Sequence, residues 1–95
     1  MDVAATSTEF VHIPVSTTGG TPVDGTPPRV AFLPGNGNPS DDDWLTAEWA
    51  SGAIRVLVGP SGGATTLDPG TYWVWGSWEA GAETPVHRAG RIRVI

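Results

Sequence analysis

Glycine and proline are spread so evenly through this chain that helix has almost nowhere to form. With thirteen Gly and nine Pro in 95 residues, no stretch of twelve keeps a helical period free of both. What remains is short apolar–polar alternation between turn signals. Thr8–Val15 places Val11, Ile13 and Val15 on one side and Phe10 and His12 on the other, with Pro14 marking an edge or a bulge. Arg29–Pro34 sets Val30 and Phe32 against Arg29, Ala31 and Leu33. Trp44–Trp49 aligns Leu45, Ala47 and Trp49, and Ala53–Val58 aligns Ile54, Val56 and Val58. Thr71–Trp78 and Pro85–Ile95 complete the set, with Val86, Ile92 and Val94 expected opposite His87, Arg91 and Arg93. Ser16–Pro28 reads as a long turn with a short extended piece at Thr21–Val23, and Ala64–Leu67 as a short strand. Six or seven short strands with turns at roughly ten-residue spacing predict an all-β sandwich.

The stretch Leu67–Trp78 organises the rest. Asp68-Pro69-Gly70 is a tight turn, since Pro presets φ and Gly supplies a positive φ. Asp68, Gly70 and Tyr72, at two-residue spacing, resemble the tyrosine corner of immunoglobulin-like sandwiches, in which a Tyr bonds back to the upstream backbone. Val74 then stands where antibody domains place a cysteine. On this reading Tyr72, Val74, Gly76 and Trp78 face inward, and Trp73 and Trp75 face away from the core.

Ninety-five residues make one domain, Thr8–Ile95, preceded by a small, polar and loose arm over residues 1–7. Cysteine is absent, so neither a disulfide nor a thiolate is available, which favours folding in a reducing cytosol. A net charge of −5 argues against a duplex-wrapping partner. Lysine is missing and all five bases are Arg, a composition that suits a GC-rich genome. The first residues carry no basic region and no apolar core, so no signal peptide is expected, and no apolar run is long enough to span a bilayer.

Gly59-Pro60-Ser61-Gly62-Gly63 matches the string of a hydrolase nucleophile elbow, but no helix follows Ser61 to build the strand-to-helix turn the elbow needs. A Gly-rich hairpin loop accounts for it, and no catalytic residue is expected. Asn36, Asn38, Asp41, Asp42 and Asp43 offer oxygen ligands, yet the spacing is not that of an EF-hand. A solvated acidic loop with Asp43 capping a turn is the simpler account, so no metal and no cofactor is expected. His12 and His87 lack ligand-type neighbours and read as structural.

Two features point to docking. Arg88, Arg91 and Arg93 make the last strand basic against the acidic loop, an asymmetry that orients the domain against copies of itself or a larger partner. Five Trp are more than a sandwich core needs, and an outward Trp73–Trp75 pair marks a protein contact or a sugar-stacking platform joined by Trp44.

Four strings occur in order: Asp43-Trp44-x-x-Ala47-x-Trp49, Leu57-Val58-Gly59-Pro60-x-Gly62, Pro69-Gly70-Thr71-Tyr72-x-Val74-Trp75 and Glu83-x-Pro85-Val86-x-x-Ala89-Gly90. Together they resemble a family of small Ig-like virion structural proteins of actinobacterial tailed phages. The chain departs from that family at Gly76 and Trp78, where Val is common. The resemblance implies a non-enzymatic minor capsid or head decoration protein docking on the major capsid protein, or a head–tail or tail component. Partners would be virion proteins, with no nucleic acid and no membrane, and carbohydrate adhesion is the competing class.

Overall fold

In the computed structural model, which describes residues 2–15, 26–35, 37–50 and 52–95, the chain is an immunoglobulin-like β-sandwich. Eight strands are present among the described residues: β1 (Asp2–Val3), β2 (Glu9–Pro14), β3 (Arg29–Leu33), β4 (Leu45–Thr46), β5 (Glu48–Ala50), β6 (Ala53–Val58), β7 (Gly70–Ser77) and β8 (Val86–Val94). One sheet has the order β1-β8-β7-β3-β4 and the other β2-β6-β5. All neighbours are antiparallel except β1 and β8. The expected turn over Ser16–Pro28 falls mostly outside the described residues, as do Asn36 and Ser51.

Alternation decides what is inside. Val11 and Ile13 of β2, Ile54, Val56 and Val58 of β6, Val30, Val74, Trp78, Ile92 and Val94 form one buried cluster between the sheets. Tyr72, Phe32, Ala47 and Trp49 pack against it half-buried, and the Trp49 indole donates to the Thr26 carbonyl at 3.1 Å. Gly76 faces inward where a Cβ would sit 3.5 Å from Ile54 Cδ1 and 3.6 Å from Ile13 Cδ1, so the two isoleucines of the facing sheet fill the space it leaves. Pro14 ends β2, an edge strand of its sheet. Val15, next along, donates its N–H across to Gly52, so the donor that Pro14 lacks belongs to the free edge and the ladder with β6 loses nothing.

Three expectations are corrected. The arm expected to be loose over residues 1–7 is tied down in its described part: Asp2 and Val3 pair with Arg93 and Val94, and Val3 is buried. Its single Val, with no other large aliphatic residue beside it in sequence, finds its partner in Val94 of β8. Trp44–Trp49 is not one strand: β4 pairs with β3 and β5 with β6, and the chain changes sheets at Ala47, whose N–H donates to the Pro28 carbonyl at 2.9 Å. Strand Ala64–Leu67 reduces to a single bridge, Thr65 to Val58.

The tyrosine corner is present. The Tyr72 hydroxyl donates to the Asp68 carbonyl at 2.7 Å, and Gly70 between them has φ +153°. The phenol thereby fixes the entry of β7, and with it the parity of every residue from Tyr72 to Trp78.

Candidate functional site

Inward placement of Tyr72, Val74 and Gly76 turns Trp73, Trp75 and Ser77 onto the outer face of the five-stranded sheet. The neighbouring β8 then departs from simple alternation. Val74 pairs with Gly90 and Trp75 with Arg88, so Ala89 is an extra residue, a β-bulge. Gly90 beside it has φ +150°, a backbone that a side chain rarely adopts.

The bulge reverses the parity of β8 across it. Val86, expected beside Ile92 and Val94, faces outward and is 47% exposed, while His87, expected beside Arg91 and Arg93, lies on the other face and stacks on Trp78 at 5.2 Å. Arg88 and Arg91, three residues apart, consequently share the outer face with Arg93. Without the extra residue an odd spacing would put them on opposite faces.

All five expected docking residues therefore lie on this face, and two of them, Arg88 and Arg91, form a ladder with the indoles. Arg91 lies directly across from Trp73, with its guanidinium carbon 5.1 Å from the ring centre. Arg88 approaches the same ring at 4.3 Å and the Trp75 ring at 6.0 Å. Such cation–π contacts contribute about 0.5–1 kcal/mol each at exposed positions. Arg93, further along, is bound to Asp2 of β1 at 2.7 Å. A shallow groove beside the ladder is lined by Asp2, Thr71, Arg91 and Arg93.

The indoles are less open than an outward pair implies. Trp75 is only 8% exposed, flanked across the ladder by Arg88 and by Ala31, which is itself fully buried. Trp73 is half-buried beneath two guanidiniums. What the face presents to solvent is chiefly the arginines, with the indoles as their support.

Arg29 extends the pattern, unremarked in the sequence. It pairs with Ser77 and so belongs to this face, and its guanidinium lies 5.2 Å over Trp44. Its alternation with Val30 already placed it outward; only the aromatic partner was hidden, because Trp44 lies fifteen positions away beyond a loop. Four of the chain's five arginines thus gather on one sheet face of a protein whose net charge is −5. The fifth, Arg55, is on the other sheet, bound to Glu48 at 2.6 Å and lying over Phe10.

The acidic loop forms a single 3-10 turn at Asp41–Asp43. The Asp43 carboxylate closes it, accepting from the Ser40 N–H at 2.9 Å and the Ser40 hydroxyl at 3.0 Å. Asp41 and Asp42 remain exposed. Among the described residues no group of three His, Cys, Asp or Glu is placed to hold a metal ion. The Gly59–Gly63 loop owes two of its three glycines to packing: a Cβ at Gly59 would collide with the Ser7 carbonyl and lie 2.5 Å from Thr8 Cα, and one at Gly63 would lie 2.6 Å from the Gly59 nitrogen. The Ser61 N–H donates to the Thr8 hydroxyl at 3.1 Å, tying this loop to the start of β2.

Fold and face together define a small immunoglobulin-like module with an arginine–tryptophan surface. Comparison with known proteins finds no matching family model, no matching curated protein and no matching solved structure.

Proposed function

We propose that this chain is a non-enzymatic structural protein of a phage virion, a head decoration or minor capsid protein that docks on the major capsid protein. The observation that carries the docking is the outer sheet face, where Arg88 and Arg91 are held over Trp73 with no ion-pair partner among the described residues. Side chains ordered before contact lose less freedom on binding, so a modest patch becomes a better one. The virion setting rests on the four ordered sequence strings and on the arginine-only composition. A compact sandwich repeated over a shell needs only weak individual contacts, because neighbouring sites are many and equivalent.

A head–tail or tail position uses the same chemistry at lower copy number. Sugar stacking is the weaker reading, because it asks for two open indoles and Trp75 is buried. The deciding experiment is the stoichiometry of this protein relative to the major shell protein in purified particles. Copies on the order of hundreds per particle mean decoration, and about a dozen mean the neck or tail. Its absence from particles overturns the virion reading.

A further inference from the structure

The guanidiniums of the ladder and the carboxylates of the 3-10 turn lie at opposite sides of one sheet. The order β1-β8-β7-β3-β4 puts Arg88 and Arg91 on β8 near one edge, and the turn Asp41–Asp43 joins β3 to β4 at the other. With strands about 4.8 Å apart, two to three strand spacings separate them, roughly 10–15 Å and beyond the reach of an ion pair. Among the described residues the ion pairs are Arg55–Glu48 and Arg93–Asp2, and Arg88, Arg91, Asp41 and Asp42 have no ion-pair partner among them.

The ladder also leaves hydrogen-bonding capacity free. Both guanidiniums lie over indole rings, and neither makes a hydrogen bond among the described residues. Their N–H donors are thus unspent among the described residues, and a guanidinium offers them in the fork geometry that matches a carboxylate. On the other side Asp43 spends its carboxylate on Ser40, which closes the turn and leaves Asp41 and Asp42 exposed on it.

We infer that the Arg88–Arg91 face receives the Asp41–Asp42 turn of a second copy of this chain, set side by side along the sheet. The inference rests on the reading of this face as a docking surface and names what docks there. The contact is head-to-tail, since the two patches differ, and so it closes into a ring or continues as a row. Each contact is weak in solution, because exposed ion pairs contribute little and every copy is net negative. On a repeating shell the local concentration compensates.

Sedimentation of the full chain at about 1 mM protein and about 50 mM salt tests this, since the screening length there still allows attraction between exposed charges. Self-association that fades at high salt is expected. D41R/D42R, which leaves the ladder untouched, and R88E/R91E should each associate about tenfold more weakly or not at all. Mixing the two variants should restore association, because the acidic turn of one then meets the basic face of the other while both remain net negative. A wild type monomeric under these conditions overturns the inference, as does a mixture that fails to associate when both variants show the native far-ultraviolet spectrum. Saturable binding of a short single-stranded oligonucleotide by a monomeric wild type assigns the face to phosphate instead. If the chain is abundant in particles yet monomeric in solution at all salts, docking on the shell stands and the contact between copies falls.

Discussion

The guanidinium of Arg91 lies 5.1 Å from the centre of the Trp73 ring, directly across the ladder from it, and Arg88 reaches the same ring only because Ala89 is a bulge. Arg88→Ala or Arg91→Ala should lower unfolding free energy by about 0.5–1 kcal/mol, and each should couple to Trp73→Ala by a similar amount in a double-mutant cycle. Lysine at either position should recover less than the full coupling, because it lacks the planar fork. Urea denaturation followed by tryptophan fluorescence measures all of these. Zero coupling at both positions would mean that the rings and guanidiniums are neighbours without attraction.

Tyr72→Phe removes only the hydroxyl that donates to the Asp68 carbonyl at 2.7 Å. The bond is partly solvated, so the expected loss is about 0.5–1.5 kcal/mol, read as a shift in denaturation midpoint with an unchanged slope. A changed slope would indicate that the corner shapes more than its own bond.

Gly59→Ala should be far more damaging than its size suggests. The backbone there has φ +142°, and the new methyl would meet the Ser7 carbonyl and Thr8 Cα. Displacing main chain and holding a side chain in that region should together cost about 2–4 kcal/mol. Thermal unfolding checks it, with Gly62→Ala as control, where a Cβ meets nothing and backbone strain acts alone.

Ser77→Ala should be neutral or stabilise by up to about 1 kcal/mol, since a buried hydroxyl without a partner costs free energy that a methyl group does not. Ser77 is fully buried and its Oγ has no partner among the described residues. Calorimetry of the variant decides it; a loss above about 1 kcal/mol would mean the hydroxyl is bonded after all.

Alternation and turn chemistry made most of the architecture legible. Ile54, Val56 and Val58 mark β6 at its observed bounds, and Asp68-Pro69-Gly70 with Tyr72 marks both the corner and the inward side of β7. Two kinds of information were missing. Trp44–Trp49 alternates smoothly, yet is divided between sheets at Ala47, because which neighbour a strand finds depends on residues far away in sequence. In β8, Gly90 signals irregularity but not which residue is left unpaired, and one extra residue moves every side chain before it to the other face. The candidate site was visible as a list, Trp73, Trp75, Arg88, Arg91 and Arg93, whereas the burial of Trp75 was not. Period-two reasoning gives the side of a sheet and says nothing about what lies over it.

The short parallel clasp of β1 on β8 has a mechanical consequence. Ile95 donates to the Val3 carbonyl and Ala5 to the Ile95 carbonyl, at 2.9 and 2.7 Å, so the first and last residues run alongside one another in the same direction. Tension applied between the two ends would slide these strands past each other, loading those bonds together instead of peeling them one by one. A module tethered at both ends would thus resist stretch first at the clasp, before strain reaches the tryptophan-bearing strands.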